Sequence, residues 1–235
     1  MNVADRRYRW LPLVTALFVT TLVISNIIAV KLVSLFGLFV PAAVILFPIA
    51  YIFGDVLTEV YGYGRARQVI WTGFFCNLMA AMAIYVSGLL PAAPFWSAGG
   101  FKTPQAAQAA YQAILGFTPR LLLASFIAYL IGEFLNSLVL AKLKLRTAGR
   151  FLWIRTIGST LIGQGADSAV FITVAFAGII PTGGLVQAIL SQWFLKTAYE
   201  TIATPLTYVV VNALKRAESE DYFDRGTDFN PFIAS

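Results

Sequence analysis

Six apolar runs of about twenty residues, at roughly 11–32, 38–61, 66–90, 119–141, 156–180 and 186–213, constrain what this chain can fold into. Each is long enough to cross the hydrocarbon core of a bilayer as a helix. Backbone N–H and C=O groups find no water there, so each run must close its hydrogen bonds internally. Barrel strands would appear as alternating segments of about ten residues, and none recur. Composition agrees, with 59% hydrophobic and only 12% charged residues, far from the values of a soluble domain. The sequence therefore predicts an all-α membrane protein with six transmembrane helices. It forms one domain over residues 1–235, with a short N-terminal segment 1–10 and a C-terminal tail 214–235.

Basic residues orient the spans. Arg6, Arg7 and Arg9 precede the first run, and Arg65 and Arg67 follow the second. Lys142, Lys144, Arg146, Arg150 and Arg155 follow the fourth, and Lys215, Arg216 and Arg225 follow the sixth. These fall on one side, against Lys31, Lys102 and Arg120 on the other, with Lys196 inside the sixth run. The richer side normally stays in the cytoplasm, so both termini are expected there and the protein is expected to be multi-pass in the inner membrane. The net charge of +6 is mostly this topological signal, and no basic patch with interleaved aromatics points to nucleic acid. The first run is too long for a signal peptide and reads as a retained helix. Cys76 is the single cysteine, so an internal disulfide is excluded. Histidine is absent, which removes the commonest metal ligand and the usual proton shuttle. No metal, cofactor or catalytic residue is expected. The longest loop, 91–118, carries Thr103 as a helix cap, Pro104 at a first helical position and Gly116 as a stop, predicting a short helix.

Polar residues inside the spans carry the functional reading. Asp55, Glu59, Glu133, Asp167 and Glu200 are five of the eleven acids. Unpartnered at the bilayer centre they would cost on the order of 12 to 18 kcal/mol together. They must therefore converge on an interior cavity or on one another. Glu59 lies near Arg65 and Arg67 and is expected to pair there, and Lys196 and Glu200 share a face and can form an ion pair. Asp55, Glu133 and Asp167 lie deeper. Gln164 beside Asp167 offers an amide and a carboxylate together, a pair able to read the edge of a planar heterocycle. Asn26, Asn77 and Asn136 add amides, and Tyr129, Phe171 and Trp193 are aromatics able to stack on a ring.

The block Phe47-Pro48-Ile-Ala-Tyr51-Ile-Phe-Gly54-Asp55-Val-Leu-Thr58-Glu59-Val-Tyr61-Gly62-Tyr63-Gly64-Arg65-Ala66-Arg67 is joined by three further motifs. They are Thr118-Pro119-Arg120 with Ala124-Ser125, Gly158-Ser159-Thr160 with Gln164 and Asp167, and Phe229-Asn230-Pro231-Phe232. Together they resemble the YhhQ / vitamin uptake transporter family. The resemblance implies an inner-membrane queuosine precursor transporter taking up 7-cyano-7-deazaguanine or a related deazapurine. It also implies six helices arranged similarly to the substrate-binding component of energy-coupling-factor transporters. For such a substrate, Glu133 and Asp167 are the expected acceptors for the ring N–H and exocyclic amine. Gln164, Asn26 and Asn136 are the amide contacts, and Lys196 lies near the ring carbonyl. Asp55, Asn77 and Trp193 complete the expected substrate-binding set. One acid of such a site is expected to be protonated and to serve as a coupling group.

Three readings stay open at this point. One is a stand-alone secondary carrier. Another is a substrate-binding subunit of an energy-coupled vitamin or nucleobase importer, which would need a separate energising module because the chain has no phosphate-binding loop. A membrane enzyme is disfavoured, since no nucleophile with a partnered base is visible. The expected partners are the small-molecule deazapurine and the lipid bilayer, with no nucleic acid, and a homodimer is left open.

Overall fold

Prolines mark where most of the helices begin. The computed structural model describes residues 8–35, 38–97, 99–116 and 119–233; Arg6, Arg7 and Thr118, used above, lie outside the described residues. Helix α1 spans Leu11–Ile28, α2 Phe47–Tyr61, α3 Tyr63–Leu89, α4 Pro104–Leu115, α5 Pro119–Arg146, α6 Leu152–Phe176 and α7 Thr182–Glu218. Pro12, Pro48, Pro104 and Pro119 occupy first-turn positions, where a missing N–H leaves no intrahelical bond unmade. Thr103 caps α4 by accepting a hydrogen bond from Ala106 N at 3.2 Å, and Gly116 follows its last residue, as the loop sequence predicts. Arg120, at the start of α5, donates to Val174 O and Ala177 O at 2.7 and 2.5 Å, satisfying carbonyls at the end of α6.

The second expected span is only half a helix. In place of helix over 38–46 the chain forms an antiparallel hairpin, β1 Leu32–Leu35 with β2 Leu38–Pro41, and a 3-10 turn at Ala42–Ile45. Pro41 and Pro48 account for the break, because neither can donate within a continuous helical ladder. The remaining 15 residues of α2 extend only about 22 Å at 1.5 Å per residue. Residues 55–63 of α2 and its junction with α3 are buried throughout, and α2 packs on α1, α3, α5 and α7. It is the core element of the bundle. Val56, Leu57, Val60 and Tyr61 meet Val14 and Phe18 of α1, Ile70 of α3 and Val211 of α7 in one apolar cluster.

Large apolar side chains such as Leu17, Phe75, Met79, Phe194, Ile202 and Val209 face outward instead, which suits a surface bathed in lipid. Three stretches among the described residues are long and apolar enough to cross a membrane: Leu11–Ile28, Tyr63–Leu89, and Pro104–Arg146, which contains α5. Helix α2 is too short for that set. Helices α6 and α7 carry Gln164 and Asp167, and Gln192, Lys196 and Glu200, respectively.

Both described chain ends meet at one end of the bundle, where charges that the sequence suggests are merely topological turn out to be internal. Glu59 is fully buried. Its carboxylate accepts from Arg155 Nη2 at 2.6 Å and Nε at 3.2 Å, and from Lys215 Nζ at 2.6 Å. Lys144 lies 3.6 Å from the same carboxylate and donates to the Glu59 carbonyl at 2.6 Å. The expected pairing of Glu59 with Arg65 or Arg67 is thus corrected. Arg65 donates to Gln68, and Arg67 to the carbonyls of Asp228 and Asn230. Arg65 and Arg67 belong to the first turns of α3, and Arg67 is buried beneath the tail it binds, whereas Arg155 and Lys215 enter toward Glu59 from α6 and α7.

The tail is a folded strap. Helix α7 runs to Glu218, whose carboxylate accepts from the backbone N–H groups of Arg9 and Trp10 and from the Tyr61 hydroxyl. An acid there complements the helix dipole of α1. Asp221 is bound by Lys144 and Lys215. Partial burial works to raise its pKa, but hydrogen bonds and charge from the two lysines outweigh it and hold the carboxyl below its ordinary value. Asp224 accepts from Tyr63 N at 3.0 Å, and Trp71 donates to Pro231 O at 2.8 Å. Gly62 permits this docking. Its φ is +84°, and a Cβ there would lie 2.2 Å from the Tyr222 ring.

Replacing Glu59 with Gln leaves several buried cations under-compensated. A loss of about 3 to 5 kcal/mol is expected, read as a large fall in the melting temperature of the detergent-solubilised protein; an unchanged melting temperature contradicts the structural role given to this carboxylate. Because the pKa of Asp221 is lowered in the fold, its contribution to holding the strap is complete above its unfolded value and declines as pH falls through the lowered one. Protease protection of residues 219–233 is expected to weaken on acidification below the unfolded value of Asp221, and protection that persists unchanged in strong acid would contradict that assignment.

Candidate functional site

Helices α5 and α6 make the most extensive contact in the bundle, and they do so backbone to backbone. A Cβ on Gly132 would lie 2.8 Å from Asp167 Cβ, and one on Gly163 would lie 2.7 Å from Asn136 Cβ and 2.9 Å from Gly132 O. No larger residue fits either position without parting the helices. This crossing sets Glu133 and Asn136 of α5 beside Gln164 and Asp167 of α6.

A cavity of about 280 Å³ opens beside the crossing, near the lower end of the range for small-molecule sites, roughly 300 to 1,000 Å³. Asn26 of α1, Asn77 of α3, Glu133, Gln164 and Asp167, and Gln192 and Lys196 of α7 supply its long polar side chains, with Ser25 and Ser125. Tyr129 and Phe171 contribute aromatic walls. The cavity is thus built from five helices, with α2 adding only Ala50.

Several of these groups are already committed. Lys196 forms an ion pair with Asp167 across α6 and α7, so the ion pair expected with Glu200 is replaced by one with Asp167. The α6 carboxylate reaches the ammonium from across the cavity, whereas Glu200 lies one turn deeper and is 5% exposed. Asn26 Nδ2 donates to Asn77 Oδ1 at 3.1 Å and to Leu22 O at 3.2 Å. The Tyr129 hydroxyl donates to Ile70 O at 3.0 Å, which anchors the ring. Glu133 and Gln164, by contrast, make no side-chain hydrogen bond among the described residues. One oxygen of Glu133 lies 3.5 Å from where a Cβ on Gly54 would sit, so α2 leaves room for this carboxylate.

Of the side chains singled out from sequence, the structure gathers Asn26, Asn77, Glu133, Gln164, Asp167 and Lys196 around the cavity. Asp55 and Asn136 lie behind its wall as a buried pair, the amide donating to Asp55 Oδ1 at 3.2 Å. Trp193 lies on the α6–α7 seam, where its indole N–H donates to Leu161 O at 2.9 Å, close against Gly165. Gln192 lines the cavity without having been assigned a role; its signal was a polar side chain one turn before Lys196 on the same face.

A second, mostly apolar cavity of about 280 Å³ adjoins the first and shares Asn26, Asn77, Ser125 and Phe171 with it. Its other walls include Val30, Ile84 and Leu121, which lie at the end of the bundle away from the termini. The Asn26–Asn77 hydrogen bond therefore stands where the two cavities meet.

The α5–α6 crossing makes the site sensitive to bulk. Gly163→Val is expected to cost about 1 to 3 kcal/mol through overpacking, measured as a lower melting temperature; unchanged stability would contradict the close backbone contact.

Comparison with known proteins identifies the family. No solved structure matches it. A probable queuosine precursor transporter from Bacillus subtilis (strain 168) is 30% identical over 197 residues, covering 83% of this chain and 82% of the relative. The queuosine precursor transporter of Escherichia coli (strain K12) is 29% identical over 181 residues, covering 75% and 74% respectively. A probable queuosine precursor transporter from Haemophilus influenzae is 28% identical over 131 residues, 55% of this chain and 49% of that one. The family model described as a putative vitamin uptake transporter matches residues 41–210, from the end of the hairpin through most of α7. This membrane protein, a transporter and not an enzyme, therefore belongs to the vitamin uptake transporter family.

Proposed function

We propose that the chain takes up a queuosine precursor, 7-cyano-7-deazaguanine or a related deazapurine, across the inner membrane as a secondary carrier. The observation that carries this reading is the pair Glu133 and Gln164, which present a carboxylate and an amide to an interior cavity with no hydrogen-bond partner among the described residues. A guanine-like edge supplies the missing partners. Its ring N–H and exocyclic amine point the same way, and one carboxylate accepts both. The names of the relatives add the substrate class.

Glu133 is the better acceptor of the two acids, because Asp167 is already neutralised by Lys196. Gln164 has both a donor and an acceptor to offer the remaining edge, and Lys196 can donate to the ring carbonyl. Tyr129 and Phe171 flank the ring, a planar solute that stacks well on aromatic faces. Asn26 and Asn77 close the cavity on the side of the apolar vestibule. Trp193, which contacts the α6 backbone, supports the wall rather than the ligand, and Asn136 holds Asp55.

Five long helices around the short α2 and both described chain ends on one side of the bundle support a multi-pass arrangement with cytoplasmic termini, in keeping with the basic bias at that end. The substrate would then approach from the opposite face through the apolar vestibule and leave after the helices rearrange around the site. Uptake by the purified chain alone in liposomes is expected on the carrier reading. Uptake only with an added ATP-hydrolysing module would favour the binding-subunit alternative.

Glu133→Gln keeps the shape of the cavity and turns one of two acceptor positions into a donor. The dissociation constant for 7-cyano-7-deazaguanine, measured by calorimetry on purified protein, is expected to rise by about 10- to 100-fold, the loss of roughly 1.5 to 3 kcal/mol associated with hydrogen bonds to a charged group. Unchanged affinity would remove Glu133 from the site.

A further inference from the structure

Behind the cavity wall lies a second polar centre that substrate recognition does not use. Asp55 of α2 and Glu200 of α7 are 1% and 5% exposed, and Asp55 lies within electrostatic reach of Glu200. Among the described residues neither carboxyl forms an ion pair, although Lys196 lies within electrostatic reach of Glu200. Lys196, the nearest base on α7, is held by Asp167, while Arg155, Lys144 and Lys215 are bound to Glu59. Charged groups in reach of the pair are Glu59 on α2, Glu133 on α5 and Lys196 on α7, the last bound to Asp167 of α6. Helix α1 carries no charged residue between Leu11 and Ile28, and at this depth α3 offers only Cys76 and Asn77.

Hydrogen inventory points to a proton. Asn136 donates to Asp55 Oδ1 at 3.2 Å, but its own Oδ1, on a side chain 9% exposed, is buried without a partner. Glu200 Oε2 is also buried without a partner. Thr160, the hydroxyl in reach of Glu200, has one hydrogen for two acceptors, that carboxyl and Thr156 O at 2.7 Å. It cannot satisfy both at once. The centre thus holds acceptors in excess of donors, and protonated carboxyls supply what is missing. Two bare anions there would cost several kcal/mol.

We propose that Asp55 and Glu200 form a proton-carrying pair that couples substrate movement to the proton gradient, with Asn136 linking the pair to Glu133. This rests on the carrier reading above. Asn136 follows Glu133 by one turn of α5 and its amide donates to Asp55 at 3.2 Å, so one helix carries both the substrate's acceptor and the contact to the pair. A proton taken from the outer water onto one carboxylate oxygen permits Glu133 to stay ionised for the substrate. After the helices rearrange, the same O–H bond breaks toward the inner water, and no other bond changes.

The test uses the full chain in liposomes with 7-cyano-7-deazaguanine as probe. For one proton per neutral substrate, each unit of inward pH gradient is expected to raise steady accumulation about tenfold. Substrate addition to weakly buffered, solubilised protein is expected to change the proton count, read with a pH-sensitive dye. Glu200→Gln is expected to bring the accumulation ratio down to about 1 while the dissociation constant stays within threefold and exchange of labelled for unlabelled substrate continues. Asp55→Asn is expected to lose accumulation in the same way, with the melting temperature reporting whether each variant is folded. Accumulation driven by a sodium gradient alone, or undiminished in both folded variants, overturns the proposal. So does a wild-type protein that binds and exchanges the probe yet ignores the pH gradient. A wild-type protein that fails to bind the probe at all instead removes the substrate assignment beneath it.

Discussion

The rest of the bundle depends on one buried carboxylate. Glu59 has no water to solvate it, so Arg155, Lys215 and Lys144 must converge on it. Those cations arrive from α6, α7 and α5, and each therefore pins its helix to the end of α2. Removing a single partner from such a cluster is far more damaging than replacing the whole cluster by apolar packing would be. The strap after α7 belongs to the same system, because Asp221 neutralises two of the lysines and Tyr222 accepts from Lys144. The short helix α2 is fixed in depth and rotation by these contacts.

Fixing α2 has consequences one turn and more away. Asp55 lies four residues before Glu59 and faces the same side, so the ionic cluster sets where the buried Asp55–Asn136 pair can form. The Gly132–Gly163 crossing then sets α5 against α6 and brings Glu133 next to Gln164 and Asp167. Three polar layers result along the bundle axis: an ionic cluster at the terminal end, a buried acid pair in the middle, and the cavity beyond it. Only the last has polar atoms facing an open volume without partners. Structural charge, coupling and recognition are separated by about a helical turn each, which lets Glu133 be exposed to a ligand while Glu59 stays sealed.

Much of this was legible in the sequence, and the failures have physical causes. Helices α1, α3, α5, α6 and α7 follow from apolar length, and α4 from its Thr103-Pro104 cap. The break in the second run was missed because apolar length outweighed Pro41 and Pro48, although both prolines forbid a continuous ladder. The acids at membrane depth were visible as acids, but their partners were not. Lys144 and Arg155 look like ordinary cytoplasmic charges in a count of basic residues, and only the packing of α5 and α6 turns them inward. Lys196 has both Glu200 on its own helix and Asp167 across the interface, and sequence spacing reveals only the former. Asp55 and Trp193 share their helices with cavity residues but not their facing direction.

The central claim is that the cavity beside the α5–α6 crossing holds a deazapurine against Glu133 and Gln164. An experimental structure of the full chain with 7-cyano-7-deazaguanine tests it most directly. Density for the ring between Tyr129 and Phe171, with its amine edge on the Glu133 carboxylate, is the result expected. Ligand density at any other place in the bundle, or an empty cavity in a sample shown to be saturated, would contradict it.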